Sequence, residues 1–106
     1  MNTVSSAANG VDPVPRLRLR LFVAGDEANS RQARLNLERL CQEHLNGSAE
    51  VEIIDVLKDF RAAVAERVIV TPALIIGAPP ARTVVLGNLS DTPRVLAALG
   101  LTGKGA

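Results

Sequence analysis

The stretch Val70-Thr71-Pro72-Ala73-Leu74-Ile75-Ile76 places a threonine–proline step at the start of an apolar run. Proline cannot donate a backbone hydrogen bond to a strand ladder, so it belongs at the first residue of a strand or at a bulge. The residue before a proline is pushed toward extended geometry, which suits Thr71 at the entry to a strand. The stretch therefore predicts a strand over residues 73–76 that begins directly after Pro72.

The segments on either side of this strand alternate between strand and helix patterns. Apolar alternation predicts strands over 17–23, 49–56 and 82–86, and helical spacing predicts helices over 30–45, over 60–67 and from residue 92. The resulting order is βαβαββα, which is the thioredoxin-like plan of the α/β class. We expect a mixed four-stranded sheet with three helices, in which a proline at the position of Pro72 is typically cis.

The length of 106 residues suits one domain with a real core and is too short for two. Residues 1–15 are rich in Ser, Ala, Asn, Gly and Pro without a period, which predicts a flexible tail. We place the domain at residues 16–101 and a short C-terminal end at 102–106. Asn46-Gly47 is expected to end the first helix, and residues 77–81 are expected to form a loop.

Three local expectations concern the helices. Asn29 or Ser30 can cap the first helix, and Asp59 can cap the second. In the first helix, Ala33, Leu37, Leu40, Cys41 and His44 recur at helical spacing on one apolar face, with His44 near the helix end. In the second, Phe60, Ala63, Val64 and Val68 form a narrower apolar stripe.

Charged residues alternate with apolar ones on the first two strands. Arg18 and Arg20 interleave with leucines, and Glu50 and Glu52 interleave with Val51 and Ile53. If the strands are neighbours, opposite charges line one side of the pair, each contact worth roughly 0.2–1 kcal/mol. The acidic side chains would also protect an edge strand against unwanted pairing.

Composition excludes several function classes. The formal charge of +1 and an aromatic content of 2% predict neither a nucleic-acid partner nor an anionic membrane surface. A lone cysteine, Cys41, excludes an intramolecular disulfide, and with the single His44 it cannot form a metal cluster. No Cys-x-x-Cys pair occurs, and residues 25–30 lack the glycine spacing and lysine of a phosphate loop. We therefore expect no metal and no cofactor.

The sequence also indicates where the protein acts. No apolar run approaches the length of a membrane span, and residues 1–15 do not have the basic and apolar regions of a secretory signal. A cytoplasmic location is the expectation.

Five strings, in the same order and spacing, resemble the KaiB family over about 85 residues. Single strings of this kind are weak, but five in register are specific. They are Leu21–Gly25, Asn29-Ser30, Val51–Lys58, Thr71–Leu74 and Gly87–Ser90.

The resemblance implies a non-enzymatic component of a bacterial circadian clock that binds the ATPase ring of KaiC. The family places this contact around the second helix and its entry, which here correspond to Asp55, Lys58, Phe60, Arg61 and Arg67. Each of these residues also fits an ordinary solvated surface, and Asp55 fits a turn or cap. SasA, a sensor kinase, has a related thioredoxin-like domain.

KaiB proteins can adopt a tetrameric ground state with a rearranged C-terminal half, or a thioredoxin-like state that binds KaiC. Family members often have glycine at the position of Ala98 and an acid at that of Gly100. Alanine favours a helix by roughly 1 kcal/mol over glycine, and Gly100 is a natural helix stop. Both residues should favour the thioredoxin-like state, although a dimer or tetramer stays open.

Departures from the family pattern argue against KaiA as a partner. Clock members usually have lysine where Glu52 stands, and a reversed charge should oppose that partner. They also have an arginine pair where Thr83 and Val84 stand. Two alternatives remain: an adaptor in stress or two-component signalling with another protein partner, and an oxidoreductase or peroxidase that uses Cys41.

Overall fold

The computed structural model describes residues 17–45, 48–77 and 82–101. The predicted βαβαββα order is confirmed, and a π-helical turn, Cys41–Leu45, extends the first helix. The strands are β1 (Leu17–Val23), β2 (Ala49–Asp55), β3 (Ala73–Ile76) and β4 (Thr83–Leu86), and the helices are α1 (Ala28–Leu40), α2 (Phe60–Ala65) and α3 (Thr92–Ala98). The expected tail at 1–15, the helix stop at Asn46-Gly47, residues 78–81 of the expected loop and the end at 102–106 lie outside the described residues.

The four strands form one mixed sheet in the order β2-β1-β3-β4. β1 pairs in parallel with β2 and antiparallel with β3, and β3 and β4 form an antiparallel pair. The Thr71–Pro72 peptide bond is cis and β3 begins at the next residue, as expected from the sequence around Pro72. Pro72 is buried. The backbone N–H of Gly87 donates to the carbonyl oxygen of Pro72 at 2.9 Å, which extends the β3–β4 pairing to the proline.

The sheet has two faces of unequal coverage. On the first, the α1–α3 face, strand side chains pack against α1 and α3 in a continuous aliphatic core. Its members include Leu19, Leu21, Leu37, Leu74, Val85 and Val95. On the second, the α2 face, the buried cluster contains only Phe22, Ala63 and Ile75. Because successive strand residues point to opposite faces, the alternation in β1 assigns Leu21 to one face and Phe22 to the other.

The start of α1 differs from the prediction. Glu27 is the N-cap, and its carboxylate accepts hydrogen bonds from the backbone N–H groups of Ser30 (3.0 Å) and Asn29 (3.1 Å). These two N–H groups lower the pKa of Glu27 because they stabilise its charged form. Ser30 is instead buried, and its hydroxyl accepts from the N–H of Ala24 at 3.0 Å, which closes the β1–α1 turn. The helix therefore begins at Ala28, two residues before the predicted start.

The predicted apolar face of α1 is confirmed except at its end. Ala33, Leu37 and Leu40 are buried and Cys41 is half-buried. His44 lies in the last turn, near the helix end as expected, and is exposed rather than part of the buried face. The π-helical turn at Cys41–Leu45 widens the last turn and buries Leu45 instead.

A buried amide that the sequence did not reveal connects α1 to the β4–α3 turn. The Asn36 side chain donates to the carbonyl oxygen of Asn88 at 2.8 Å, across 52 positions of sequence. Next to it, Leu89 has φ 65°, a conformation that glycine adopts more readily, yet its side chain is buried in the core. The turn is therefore held from both sides, by a polar contact and by an apolar anchor.

Candidate partner-binding surface

Asp55 at the end of β2 fixes the turn that leads into α2. Its Oδ1 atom accepts from the backbone N–H groups of Leu57 and Gly25, each at 3.0 Å. These hydrogen bonds, with that of Leu57 the stronger influence, lower the pKa of the Asp55 carboxyl. The carbonyl oxygen of Asp55 also accepts from Lys58 and Asp59. Asp55 thus acts as a turn residue that positions Leu57 and Lys58.

The predicted cap of α2 is confirmed. The Asp59 carboxylate accepts from the N–H of Ala62 at 3.2 Å, so that Phe60 is the first residue of the helix. α2 ends at Ala65, earlier than the predicted Arg67. Its six residues make fewer than two turns, which leaves room for few inward-facing positions.

The apolar stripe predicted for α2 is divided between the sheet and solvent. Only Ala63 is buried, whereas Phe60 and Val64 are 66% and 67% exposed. These two residues are four apart and share one helix side, and Leu57 in the preceding turn is 73% exposed. Together with the exposed cations Lys58 and Arg61, they form what we call the α2 surface: Leu57, Lys58, Phe60, Arg61 and Val64.

Arg67 follows the C-terminal end of α2, whereas Lys58, Phe60 and Arg61 lie at its start. Val68 N–H donates to the carbonyl oxygen of Ala63 at 2.8 Å, and Arg67 N–H donates to that of Val64 at 3.1 Å. This pair of bonds is the Schellman ending, which requires a left-handed residue after the cap. Arg67 provides it with φ 60°, where glycine is usual. The structure thus brings four of the five predicted partner-binding residues together at the start of α2 and sets Arg67 at its other end.

Glu66 anchors α2 to the sheet through two arginines. Its Oε2 atom lies 3.0 Å from Nη1 of Arg20 on β1, and its Oε1 atom accepts from Nη1 of Arg82, which precedes β4. The hydrogen bond and charge of Arg20, followed by the charge of Arg82, lower the pKa of Glu66.

The expected charge pairing along the strands is therefore only partly confirmed. Arg18 lies opposite Glu50 and Arg20 opposite Glu52 in the β1–β2 register, so opposite charges do line one side of the pair. Arg20 instead pairs with Glu66, which follows the helix packed over β1. The Glu66 side chain is only 18% exposed, so its carboxylate is shielded from water. Local sequence contained no sign of this triad, since its members come from three separate elements.

The two residues proposed to bias the fold state lie at the end of α3. Ala98 is the last helical residue and packs against the main core. Gly100 has φ 78°, and N–H groups of Gly100 and Leu101 donate to Ala97 (3.1 Å) and Leu96 (2.8 Å). The predicted helix stop at Gly100 is confirmed, and the influence of both residues on the fold state stays a prediction.

Other chemistry has limited support in residues 17–45, 48–77 and 82–101. No group of three or more metal-ligating side chains comes together there. Burial raises the pKa of the Cys41 thiol, which disfavours the reactive thiolate at neutral pH. Across the same described residues, none of the helices combines the length and the apolar character needed to span a bilayer.

Solved structures with the same architecture include the N-terminal domain of SasA and several thioredoxins. The N-terminal domain of SasA from Synechococcus elongatus matches with a TM-score of 0.67 and 21% identity, covering 98% of both chains. Thioredoxin from Fasciola hepatica matches with a TM-score of 0.67 and 19% identity, covering 83% of both chains. At these identities the likeness shows the thioredoxin-like fold alone.

Sequence relatives are much closer. Circadian clock protein KaiB3 from a Synechocystis strain is 41% identical over 90 residues, covering 85% of this chain and 88% of the relative. Circadian clock oscillator protein KaiB from Microcystis aeruginosa is 36% identical over 83 residues, covering 78% and 80%. The KaiB domain model matches residues 20–101, a span that includes every strand and helix from β1 to α3 except the first residues of β1. The five strings, the fold and these matches agree, and the chain is a member of the KaiB family.

Proposed function

We propose that this protein is a non-enzymatic clock or signalling component that docks onto the ATPase ring of a KaiC-type partner through the α2 surface. The proposal joins the family membership to one feature of this chain, a solvent-facing phenylalanine at the start of α2. A partner of this kind would be met in the cytoplasm of a bacterium, where we propose that the protein acts.

Phe60 is the observation on which the proposal rests. The chain has two aromatic residues, of which Phe22 is completely buried and Phe60 is 66% exposed. A large apolar side chain that faces water gains the most when a partner covers it, and interface energy concentrates in a few such anchors. Leu57 and Val64 extend the apolar area around Phe60 on both sides along the chain.

The charges around Phe60 suggest the sign of the partner surface. Lys58 and Arg61 are exposed, whereas the carboxylates nearest in sequence are engaged, Asp55 with two backbone N–H groups and Asp59 with the helix cap. An acidic rim on the ATPase would complement this arrangement and would raise the association rate at low salt.

The test is a pull-down against the host's KaiC-type ATPase, with and without ATP. Phe60→Ala should weaken the complex at least about tenfold, as expected for a central aromatic anchor worth more than about 1.4 kcal/mol. Leu35→Ala is the matched control, because Leu35 is 60% exposed on α1, and it should leave the affinity unchanged. Lys58→Glu should weaken binding while the fold stays intact.

Two results would overturn the proposal. Absence of binding in every nucleotide state would exclude the ATPase and leave the adaptor in stress or two-component signalling. Equal losses for Phe60→Ala and Leu35→Ala would exclude the α2 surface as the contact, even if the ATPase binds.

KaiA is not a proposed partner. Glu52 is exposed on β2, the edge strand of the sheet, and it presents a negative charge where the family pattern has a lysine. We expect KaiA not to bind, and Glu52→Lys is the variant in which any such binding should appear.

The absence of enzymatic activity is likewise part of the proposal. Cys41 is half-buried in the last turn of α1, and burial raises the pKa of its thiol. We expect slow alkylation of the folded protein at neutral pH. Alkylation as fast as that of a free thiol would instead support the alternative of an oxidoreductase that uses Cys41.

A further inference from the structure

A groove of about 240 Å³ lies on the α2 face of the sheet beside β4, beyond the end of α2. Its apolar walls come from the segment after α2 and from β3 and β4, and include Val68, Val70, Ile75, Val84 and Leu86. Arg67, Glu66 and Arg82 form its charged side. The α2 surface residues do not line it, so its role is separate from the proposed ATPase contact.

The side chains of β4 show that, within the residues the structure describes, no element fully covers this side of the sheet. Val85 points to the α1–α3 face and is 4% exposed, whereas Val84 and Leu86 point to the α2 face and are 44% and 46% exposed. Val70 is 50% exposed, and Ile69, also at the groove, is 94% exposed. A strand with apolar residues on both faces is suited to being covered on both.

The backbone of β4 has hydrogen-bonding capacity at the same residues. β4 is the last strand of the sheet in the described residues. Because the Gly87 N–H points to β3 and donates to Pro72, the alternation of an antiparallel ladder directs the N–H groups of Val84 and Leu86 away from β3. An added strand would find outward backbone groups and half-exposed apolar side chains on the same two residues.

The charges at the groove favour an acidic occupant. Arg20 and Arg82 share the single carboxylate of Glu66, which leaves this triad with a net positive charge. Arg67 is exposed and forms no ion pair with any other residue in the described parts of the chain. A carboxylate is the natural complement of a guanidinium whose backbone is held in place by the helix ending.

We propose that the edge of β4 binds an extended segment of a partner protein as an added strand. The segment is apolar at alternate positions, which enter the groove beside Val84 and Leu86, and it has a carboxylate that reaches Arg67. Backbone hydrogen bonds to β4 provide the register, and the acidic group distinguishes this segment from other apolar strands.

The test uses the intact chain labelled with ¹⁵N and two synthetic peptides, TVTVTEE and TVTVTKK. Addition of TVTVTEE should shift the amide signals of Val84, Leu86 and Val70. TVTVTKK should bind at least about tenfold more weakly, because the charge-assisted hydrogen bond to Arg67 is lost. Arg67→Glu should reverse the preference between the peptides.

A matched pair of variants localises the binding. Val84→Lys places a charge in the groove and should abolish binding, with signals from the α1–α3 core unchanged. Val51→Lys is the control, since Val51 is 46% exposed on β2, the opposite edge of the sheet, and it should bind like the parent chain.

Three outcomes would overturn the proposal. The first is no shift with either peptide at millimolar concentration, and the second is a shift confined to β2. The third is a concentration-dependent shift at β4 without peptide, which would assign the edge to a second copy of this chain. None of these outcomes bears on ATPase binding by the α2 surface, so the two proposals can fail independently.

Discussion

The two faces of the sheet differ in how completely their apolar side chains are buried. On the α1–α3 face, two helices cover a continuous aliphatic core whose strand members Leu19, Leu21 and Leu74 are completely buried. On the α2 face, a helix of six residues covers Phe22 and Ile75 and leaves Val84 and Leu86 half-exposed. Part of the attachment there is ionic, through Glu66.

Taken with the two proposed contacts, this difference places most of the stability on the α1–α3 face and the proposed recognition on the α2 face. Apolar burial contributes about 25 cal/mol per Å² and needs close packing, which the α1–α3 face has. Apolar side chains on the α2 face remain available for a partner to cover, and both proposed contacts lie on this side of the molecule.

Leu74→Ala should have the largest effect on stability. Leu74 is completely buried on the α1–α3 face, and truncation of such a residue costs about 2–5 kcal/mol through lost burial and a cavity. Urea denaturation measures the loss. Val84→Ala on the α2 face is the matched control and should cost less than about 1 kcal/mol, because Val84 is already 44% exposed. Similar losses for both variants would contradict the division between the faces.

Glu66→Ala should destabilise the fold by about 1–3 kcal/mol, since two partly buried guanidinium groups lose their carboxylate. The effect should concentrate on α2, and hydrogen exchange should show faster opening of that helix than of α1. Glu52→Ala is the control, because Glu52 is exposed and forms no ion pair within the described residues. Uniform acceleration across both helices would show that the triad supports the whole fold.

Ala98→Gly should weaken α3 by about 1 kcal/mol. Ala98 is the last residue of α3 and packs against the core of the α1–α3 face. Because α3 belongs to the C-terminal half of the chain, which KaiB proteins can rearrange, the substitution tests whether α3 stabilises the thioredoxin-like state. Size-exclusion chromatography and NMR should show an increased population of an alternative, associated state. A purely monomeric variant with unchanged α3 signals would remove Ala98 from the proposed control of the fold state.

Lowering the pH should reduce the free energy of unfolding, in part because protonation of Glu66 weakens the attachment of α2. The folded pKa of Glu66 is lowered below the ordinary value of a glutamate, so its contribution to stability is present above that ordinary value and is lost as the pH falls through the folded pKa. The pKa values of Glu27 and Asp55 are lowered too, and they add to the same loss. Glu66→Gln should flatten part of the fall in denaturation midpoint below about pH 5. An unchanged slope would assign the acid loss to the other two carboxylates.

Local sequence predicted the elements because periodicity and special residues act over a few positions. Pro72 marked the start of β3 and its cis bond, Asp59 capped α2, and Gly100 ended α3. The candidate binding residues were a different case. Their location came from the family strings, and the sequence placed Phe60 and Val64 on an apolar stripe without indicating that these two residues face solvent.

The order of strands and helices and the start of β3 at Pro72 follow from the sequence alone, because each depends on neighbours along the chain. The family also follows from the sequence, through five strings whose order and spacing extend over the whole domain. Only the tertiary structure shows which side of α2 faces solvent, that Arg20 pairs with Glu66 rather than Glu52, and which side chains of β4 are half-exposed. The physical reason is that a short helix contacts the sheet through only one or two residues, here above all Ala63. Such a choice depends on Phe22, Ile75 and Arg82, which folding brings to α2 from distant parts of the chain.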